Sequence, residues 1–456
     1  MSEFINRPLS RRGFLGGATV AAGLGLTACG GQQQKAAEAP SGKEGGGTIT
    51  AGTAYSTQNY DPSTTSSALA LGVNWQVVEG LYGLNYHDYS TFNELATADP
   101  KKVDDYTFEI TLRDGAKFSD GNEVKADDVV ESFNRSAAKG SVYVPMLSPI
   151  ASVSKKDDKT VTVKTVIANF SLLKECLSIV RVVPASSSQD EMKKQPVGSG
   201  PWQFESISDN TLDLVPNTNY NGATPAKDEK LHYDVLKDPT ARLTAQQDGT
   251  TLAMEMVPAD AVEQLKGAGC TVDAVQGFGV RFAMFNLGKA PWDNVKVRQA
   301  CLYALDTDKM LANAFSGQAE VATSYLPSSF ANYHKASTVY AHDVDKAKKL
   351  IAESGITPGD VVLRTTDNEQ VKSMATQVKN DLDALGFNVS IVSDTSPATY
   401  AAIDAVDGSW DILLAPGDPS CFGADVDLLL NWWYGDNVWM TKRCPWKESA
   451  EWNKLH

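Results

Sequence analysis

VVLRTTDNEQVKSMATQVKNDLDALGFNVSIVS, residues 361–393, changes its hydrophobic period twice. VVLRTT (361–366) is a short run rich in valine and threonine that ends at the polar Asp367-Asn368, and it reads as a strand. Val371, Met374, Val378, Leu382 and Leu385 then recur every three or four positions, one face of a helix over 369–385 that Gly386 stops. FNVSIVS (387–393) alternates apolar with polar, the period of a second strand. Strand, helix, strand at this spacing is a right-handed parallel crossover, and a parallel sheet belongs to an α/β architecture. WDILLAP (410–416) adds another buried strand downstream.

The residues upstream are β-rich. GTITAGTAYSTQNYDP (47–62) runs from a strand into a polar loop that carries Tyr55. In YTFEITLRDGAKFSDG (106–121), Tyr106, Phe108, Ile110 and Leu112 alternate with polar residues before a turn at Asp114-Gly115. Asp127 and Asp128 open a helix whose apolar face includes Val129, Val130 and Phe133 and which closes before Gly140. SVSKKDDKTVTVKT (152–165) is expected to form a hairpin with its tip at Lys156-Asp157-Asp158, and WQFESISDNTLDLV (202–215) another that turns at Asp209-Asn210. No repeat of 20–50 residues is present.

The N-terminus sets the compartment. SRRGFLGGATVAAGLGLTAC (10–29) begins with Arg11-Arg12 in a pattern that resembles a twin-arginine export signal. Its 16 uncharged residues, Gly13 to Ala28, include five glycines and are too short to span a bilayer, which needs ~20 apolar residues. Leu26-Thr27-Ala28-Cys29 resembles a bacterial lipobox, so Cys29 is expected to carry a lipid after residues 1–28 are removed. The alternative is an ordinary signal that happens to contain a cysteine; two motifs in one segment favour the lipoprotein. GQQQKAAEAPSGKEGGG (31–47) has nothing to bury, so 29–47 reads as a disordered tether with a reach of roughly 20–25 Å.

The remainder exceeds 400 residues, enough for two or three domains. The chain carries −15, and Arg7, Arg11 and Arg12 against Glu3 give the signal +2, leaving near −17 afterwards. So acidic a body argues against nucleic acid and against lying on anionic lipid. Cys176, Cys270, Cys301, Cys421 and Cys444 allow at most two bridges, with Cys421 and Cys444 the nearest pair in sequence. The five histidines are scattered and no metal-ligand spacing occurs, so no metal or cofactor is expected.

An exported serine hydrolase is one candidate: Ser136-Ala137-Ala138-Lys139 fits S-x-x-K and Ser208-Asp209-Asn210 fits S-D-N, as in β-lactamases. The K-T-G element is missing, and both motifs fall at a helix end and a hairpin tip, where such residues are favoured anyway. Gly198-Ser199-Gly200 lacks the full pattern of a nucleophile elbow.

A second reading covers the whole body. VVEGLYGLN (77–85), ELATADPKKVDDYTFEITLRDGAKFSDGNEVKADDVVESFNR (94–135), PVGSGPWQFESI (196–207), MFNLGKAPWDNVKVRQACLYALD (284–306), HDVDKAKKLIAESGI (342–356) and VKNDLDALGFNVSI (378–391) occur in one order. Together they resemble the extracellular solute-binding proteins of family 5, the peptide, dipeptide and nickel type that serve ABC importers. The resemblance implies a periplasmic-binding-protein-like type II two-lobe α/β fold with an extra β-rich domain inserted in the N-terminal lobe. Lobe I would comprise 48–78 and 191–278, the insertion 79–190, and lobe II 279–456. Family members continue for several dozen residues past a point like His456, so a strand of lobe I is expected to be missing here. The implied role is capture of an oligopeptide or dipeptide outside the membrane for a permease and its ATPase subunits, with binding rather than catalysis. A nickel chelate, haem or an oligosaccharide are the alternatives.

The implied site lies in LLAPGDPSCFGADVDLLLNWWYGD (413–436), after a buried strand, where βαβ lobes place binding loops. The family aspartate that pairs with the ligand's α-amino group falls on Asp418, beside Gly417; a plain Asp-Pro turn is the competing reading. Arg364 could meet a carboxylate, although the dipeptide binders place their arginine slightly later, and a strand-end surface charge is the alternative. Six of nine tryptophans lie between 410 and 452. Trp432 is the candidate platform among them, with a packed core the more frequent use of such rings. Tyr55 sits in the loop that lines the cleft in the family.

Overall fold

In the computed structural model the described residues are 46–444 and 454, apart from 140, 331, 406–407, 419–421 and 436. Arg11, Arg12, Cys29 and Cys421 therefore lie outside them.

The crossover read at 361–393 is present. Strands Asp360–Thr366 and Asn388–Asp394 run parallel, residue against residue from Asp360 opposite Asn388 to Thr366 opposite Asp394. Helix Glu369–Asp383 joins them and buries Val371, Ala375, Val378 and Leu382. Met374, expected on that face, is only partly buried, because Ala375 takes the inward position on the turn. Gly386 follows with φ +95°, a conformation that favours glycine. Ile412–Gly417 extends the sheet parallel to Asp360–Thr366, and Val280–Phe285 closes the other edge antiparallel to it. Asp411 ties this unit together. Its carboxylate accepts from Trp292 Nε1 (2.8 Å) and from the Val362 amide (2.9 Å), and it pairs with Lys289 (2.8 Å).

A second sheet has five strands in the spatial order Ala253–Met254, Thr48–Thr53, Lys230–Val235, Thr211–Pro216, Trp202–Ile207. Thr48–Thr53 is parallel to both neighbours, and the remaining pairs are antiparallel. Ser208-Asp209-Asn210 is the turn of its hairpin, where Ser208 Oγ accepts from the Thr211 amide at 2.9 Å. Two more sheets lie in between: a four-stranded antiparallel one (Lys101–Lys102, Thr107–Thr111, Thr160–Thr165, Ile150–Asp157) and the pair Tyr82–Leu84 with Thr91–Asn93.

Several sequence expectations shift here. The 152–165 hairpin turns at Asp158-Lys159 rather than one residue earlier, because a bulge between Lys155 and Asp157 takes up a residue and Asp157 still pairs with Thr160. Phe108, Ile110 and Leu112 are buried, but Tyr106 precedes the strand and is 51% exposed. Ser136 is buried and donates to the Ser132 carbonyl of its own helix at 2.9 Å. Among the described residues Cys176, Cys270, Cys301 and Cys444 are free thiols; Cys421, the expected partner of Cys444, lies outside them.

Gly198-Ser199-Gly200 has a packing reason. A Cβ on Gly198 would lie 2.0 Å from the Val77 carbonyl oxygen, and the Gly200 amide donates to that same oxygen at 2.8 Å. Ser199 Oγ donates to Glu79 Oε2 (2.8 Å), and Glu79 also takes both guanidinium ends of Arg113 at 2.7 and 2.8 Å. The helix Val426–Tyr434 packs on Val144–Leu147, adding Trp432 and Trp433 to the core that contains Tyr143, Met146 and Leu177, and Trp439 from the following turn Trp439–Arg443 joins them.

Candidate functional site

A cavity of about 670 Å³ lies between the carboxyl ends of the strands of the five-stranded sheet and those of the crossover sheet. Its walls follow from strand direction. Ala54, Tyr55 and Ser56 come directly after Thr48–Thr53, and Lys237 just after Lys230–Val235. Asp367 follows Asp360–Thr366, Thr395 follows Asn388–Asp394, and Pro416 is near the end of Ile412–Gly417. Parallel strands leave their carboxyl ends on one edge, which is where ligands bind in open α/β sheets.

Three helices begin at this edge: Pro239–Gln247, Glu369–Asp383 and Ser396–Asp404. Asp238 and Asn368 cap the first two, accepting from the Ala241 (2.8 Å) and Val371 (3.2 Å) amides. Their positive ends favour anionic groups, and the wall also carries Asp260, Asp367 and Glu369 against Lys237 and Arg242. The lining is thus of mixed charge. Arg242 is buried, with its guanidinium donating to the carbonyls of Leu236 (2.6 Å), Lys237 (2.9 Å) and Met256 (3.2 Å), which holds the loop in shape. Glu255 does the same for the first loop, accepting from Thr53 Oγ1 (2.5 Å) and the Ala54 amide (3.0 Å).

Tyr55 lines the cavity, and burial followed by the Glu255 charge pushes its hydroxyl above the usual phenol range. Asp418 follows Gly417 directly on the exposed loop, close enough for its charge to act on both Tyr55 and Arg281. Gly417 serves packing: a Cβ there would meet the Trp433 ring at 2.3 Å. Arg364 is not on the cavity wall, nor a surface charge; its side chain is 16% exposed and pairs with Asp394 at 3.0 Å across the parallel strands. Trp432 is likewise away from the cavity, 8% exposed, with its ring centroid 5.3 Å from that of Phe422. Asp418 is not itself on the cavity wall but stands close enough to act on Tyr55, which is, whereas Arg364 and Trp432 are engaged elsewhere, with Asp394 and Phe422.

Two residues that sequence reading passed over join this group. Arg281, on Val280–Phe285, donates through Nε (3.1 Å) and Nη2 to the side-chain oxygen of Gln370, which lines the cavity. The signal was present in VRFAMF (280–285), where one arginine interrupts an apolar strand.

Residues 92–440 match the family described as bacterial extracellular solute-binding proteins, family 5 Middle. The chain belongs to this family. Among its relatives is the heme-binding protein A of Haemophilus influenzae, 31% identical over 357 residues, 69% of this chain and 63% of that protein. The chain thus spans less than two thirds of that relative's length. Among solved structures, the PBP AgaA from A. tumefaciens R10, in complex with agropinic acid, superposes with a TM-score of 0.80 at 24% identity, covering 90% of this chain and 84% of that one. The periplasmic binding protein DppA from Helicobacter pylori, in complex with the peptide STSA, gives 0.77 at 22% identity over 85% and 81%. The fold is that of the family's two-lobe periplasmic binding proteins. The family is one of extracellular solute-binding proteins, and no helix among the described residues is long and apolar enough to cross a membrane.

Proposed function

We propose that this chain is the substrate-binding subunit of an ABC importer and captures a peptide between two closing lobes. The observation that carries the reading is the cavity at the facing carboxyl edges of the two sheets, whose volume of about 670 Å³ falls within the ~300–1,000 Å³ of small-molecule sites. Lobe I comprises 48–78 and 191–278, the β-rich insertion 79–190, and lobe II begins at 279. Asp418 takes the ligand's ammonium, since a carboxylate in a closing, water-poor cleft gains most from a charged donor. Tyr55 covers the ligand from lobe I. Closure arises because the ligand binds the closed state more tightly. The closed form then delivers its load to a permease driven by cytoplasmic ATPases. The twin-arginine signal around Arg11 and Arg12 exports the chain, and a lipid on Cys29 holds it outside the membrane. A non-peptide solute is the second reading, supported by the similarity to a heme-binding protein and by the agropinic acid complex.

A thermal-shift screen of the soluble ectodomain against peptides, sugars, haem and metal chelates tests this directly. Stabilisation by peptides is expected; stabilisation only by one of the other classes would replace the peptide reading. Release of the intact chain from membranes by Cys29→Ser tests the anchor, and unchanged membrane attachment would sink it.

A further inference from the structure

Arg281 is the one charged residue of Val280–Phe285. It stands directly opposite Pro416 across the antiparallel pair, and such partners project to the same face of a sheet, here the face whose Pro416 lines the cavity. Arg281 is half-buried, and among the described residues its hydrogen bonds go only to the neutral amide oxygen of Gln370. Among the described residues no carboxylate lies within 4 Å of it, unlike Arg113, Arg181, Arg364 and Arg443, which each hold an acid at 2.7–3.0 Å. Burial works against its charge, and the nearby Tyr55 and Asp418 offset that only in part. A single amide oxygen does not neutralise a guanidinium, whereas a carboxylate accepts two parallel N–H bonds from one.

Gly279 leaves the approach open. The point where its Cβ would stand is 3.4 Å from Asp418 Oδ2 and 3.6 Å from Arg281 Nη1. An acid and a base thus converge on one small space beside the cavity.

Resting on the capture reading above, the geometry points to Arg281 as a specificity residue that reads a carboxylate placed next to the ligand's ammonium. Two sources share that chemistry: an acidic side chain on the first residue of a peptide, or the α-carboxylate of a very short ligand.

Isothermal titration of the wild-type ectodomain with Glu-Ala-Ala against Gln-Ala-Ala, and with Ala-Ala against its C-terminal amide, separates the sources. At least one pair should favour the carboxylate by about tenfold, and which pair does so identifies the source. In Arg281→Gln that preference should fall below about threefold. Gln370→Glu, which supplies the missing acid from within at a helix N-terminus, should reduce it likewise without removing the arginine. Loss of preference in the variants supports the assignment. Absence of preference in the wild type, or its persistence in a folded Arg281→Gln, overturns it. If Arg281→Gln fails to fold, persistence in Gln370→Glu overturns it instead. Peptides that bind without regard to a carboxylate sink this inference alone, whereas no peptide binding at all sinks the peptide reading together with it.

Discussion

At the scale of single residues, the structure gives Asp418 and His232 separate tests. With Asp418 as the ammonium anchor, Asp418→Ala should weaken peptide binding about tenfold or more by titration calorimetry, the loss expected of one charge-assisted hydrogen bond. Unchanged affinity would remove Asp418 from the site. His232 lies between two acids, Nδ1 at 2.6 Å from Asp213 Oδ1 and Nε2 at 3.2 Å from Asp234 Oδ1. Burial works against its charged form, but the two carboxylates outweigh burial, and its pKa is raised. A group raised by folding stabilises fully below its unfolded pKa of about 6.5 and loses that contribution as pH climbs through the folded value. The Tm advantage of the wild type over His232→Gln should therefore be greatest below about pH 6 and shrink as the pH rises above the unfolded value. A pH-independent gap would show that the pair is not ionic.

At the scale of elements, the glycine clamp at 198–200 is the clearest constraint. It seats the strand Trp202–Ile207 against the end of helix Ala68–Val77, because backbone can approach backbone only where no Cβ intervenes. Gly198→Ala forces that contact apart and should cost about 2–3 kcal/mol, read as a lower denaturant midpoint at constant slope. A midpoint equal to wild type would mean that the loop relaxes without strain. The helices and hairpins were legible in sequence wherever the period was clean, as with Val371, Val378 and Leu382. Element ends were less so: the bulge at Lys155–Asp157 depends on cross-strand pairing that no local pattern encodes.

At the scale of the whole molecule, capture by closure predicts two coupled changes. A saturating peptide should reduce the radius of gyration in small-angle scattering, since a hinged pair of lobes becomes more compact as it closes. It should also raise stability by about 2.7 kcal/mol at a hundredfold excess over Kd, through binding the folded state alone. Stabilisation without compaction would indicate that the lobes are already closed around the empty cavity.

By itself the sequence determined the α/β class, the parallel crossover, the hairpins and the family, because period, turn chemistry and motif order are local properties of the chain. It also offered Tyr55 and Asp418 as candidates, and the fold brings them close enough for the Asp418 charge to act on the Tyr55 hydroxyl. The partners of charged side chains were decided only in three dimensions. Arg364 and Arg281 look alike in sequence, each a lone arginine in an apolar strand. One meets Asp394, 30 positions away, while the other, among the described residues, donates only to Gln370, 89 positions away. Trp432 looked like a ligand platform until the fold packed its helix on Val144–Leu147. Whether a charge is neutralised, or a ring covered, depends on which distant segments the fold brings beside it, and that is a property of tertiary packing alone.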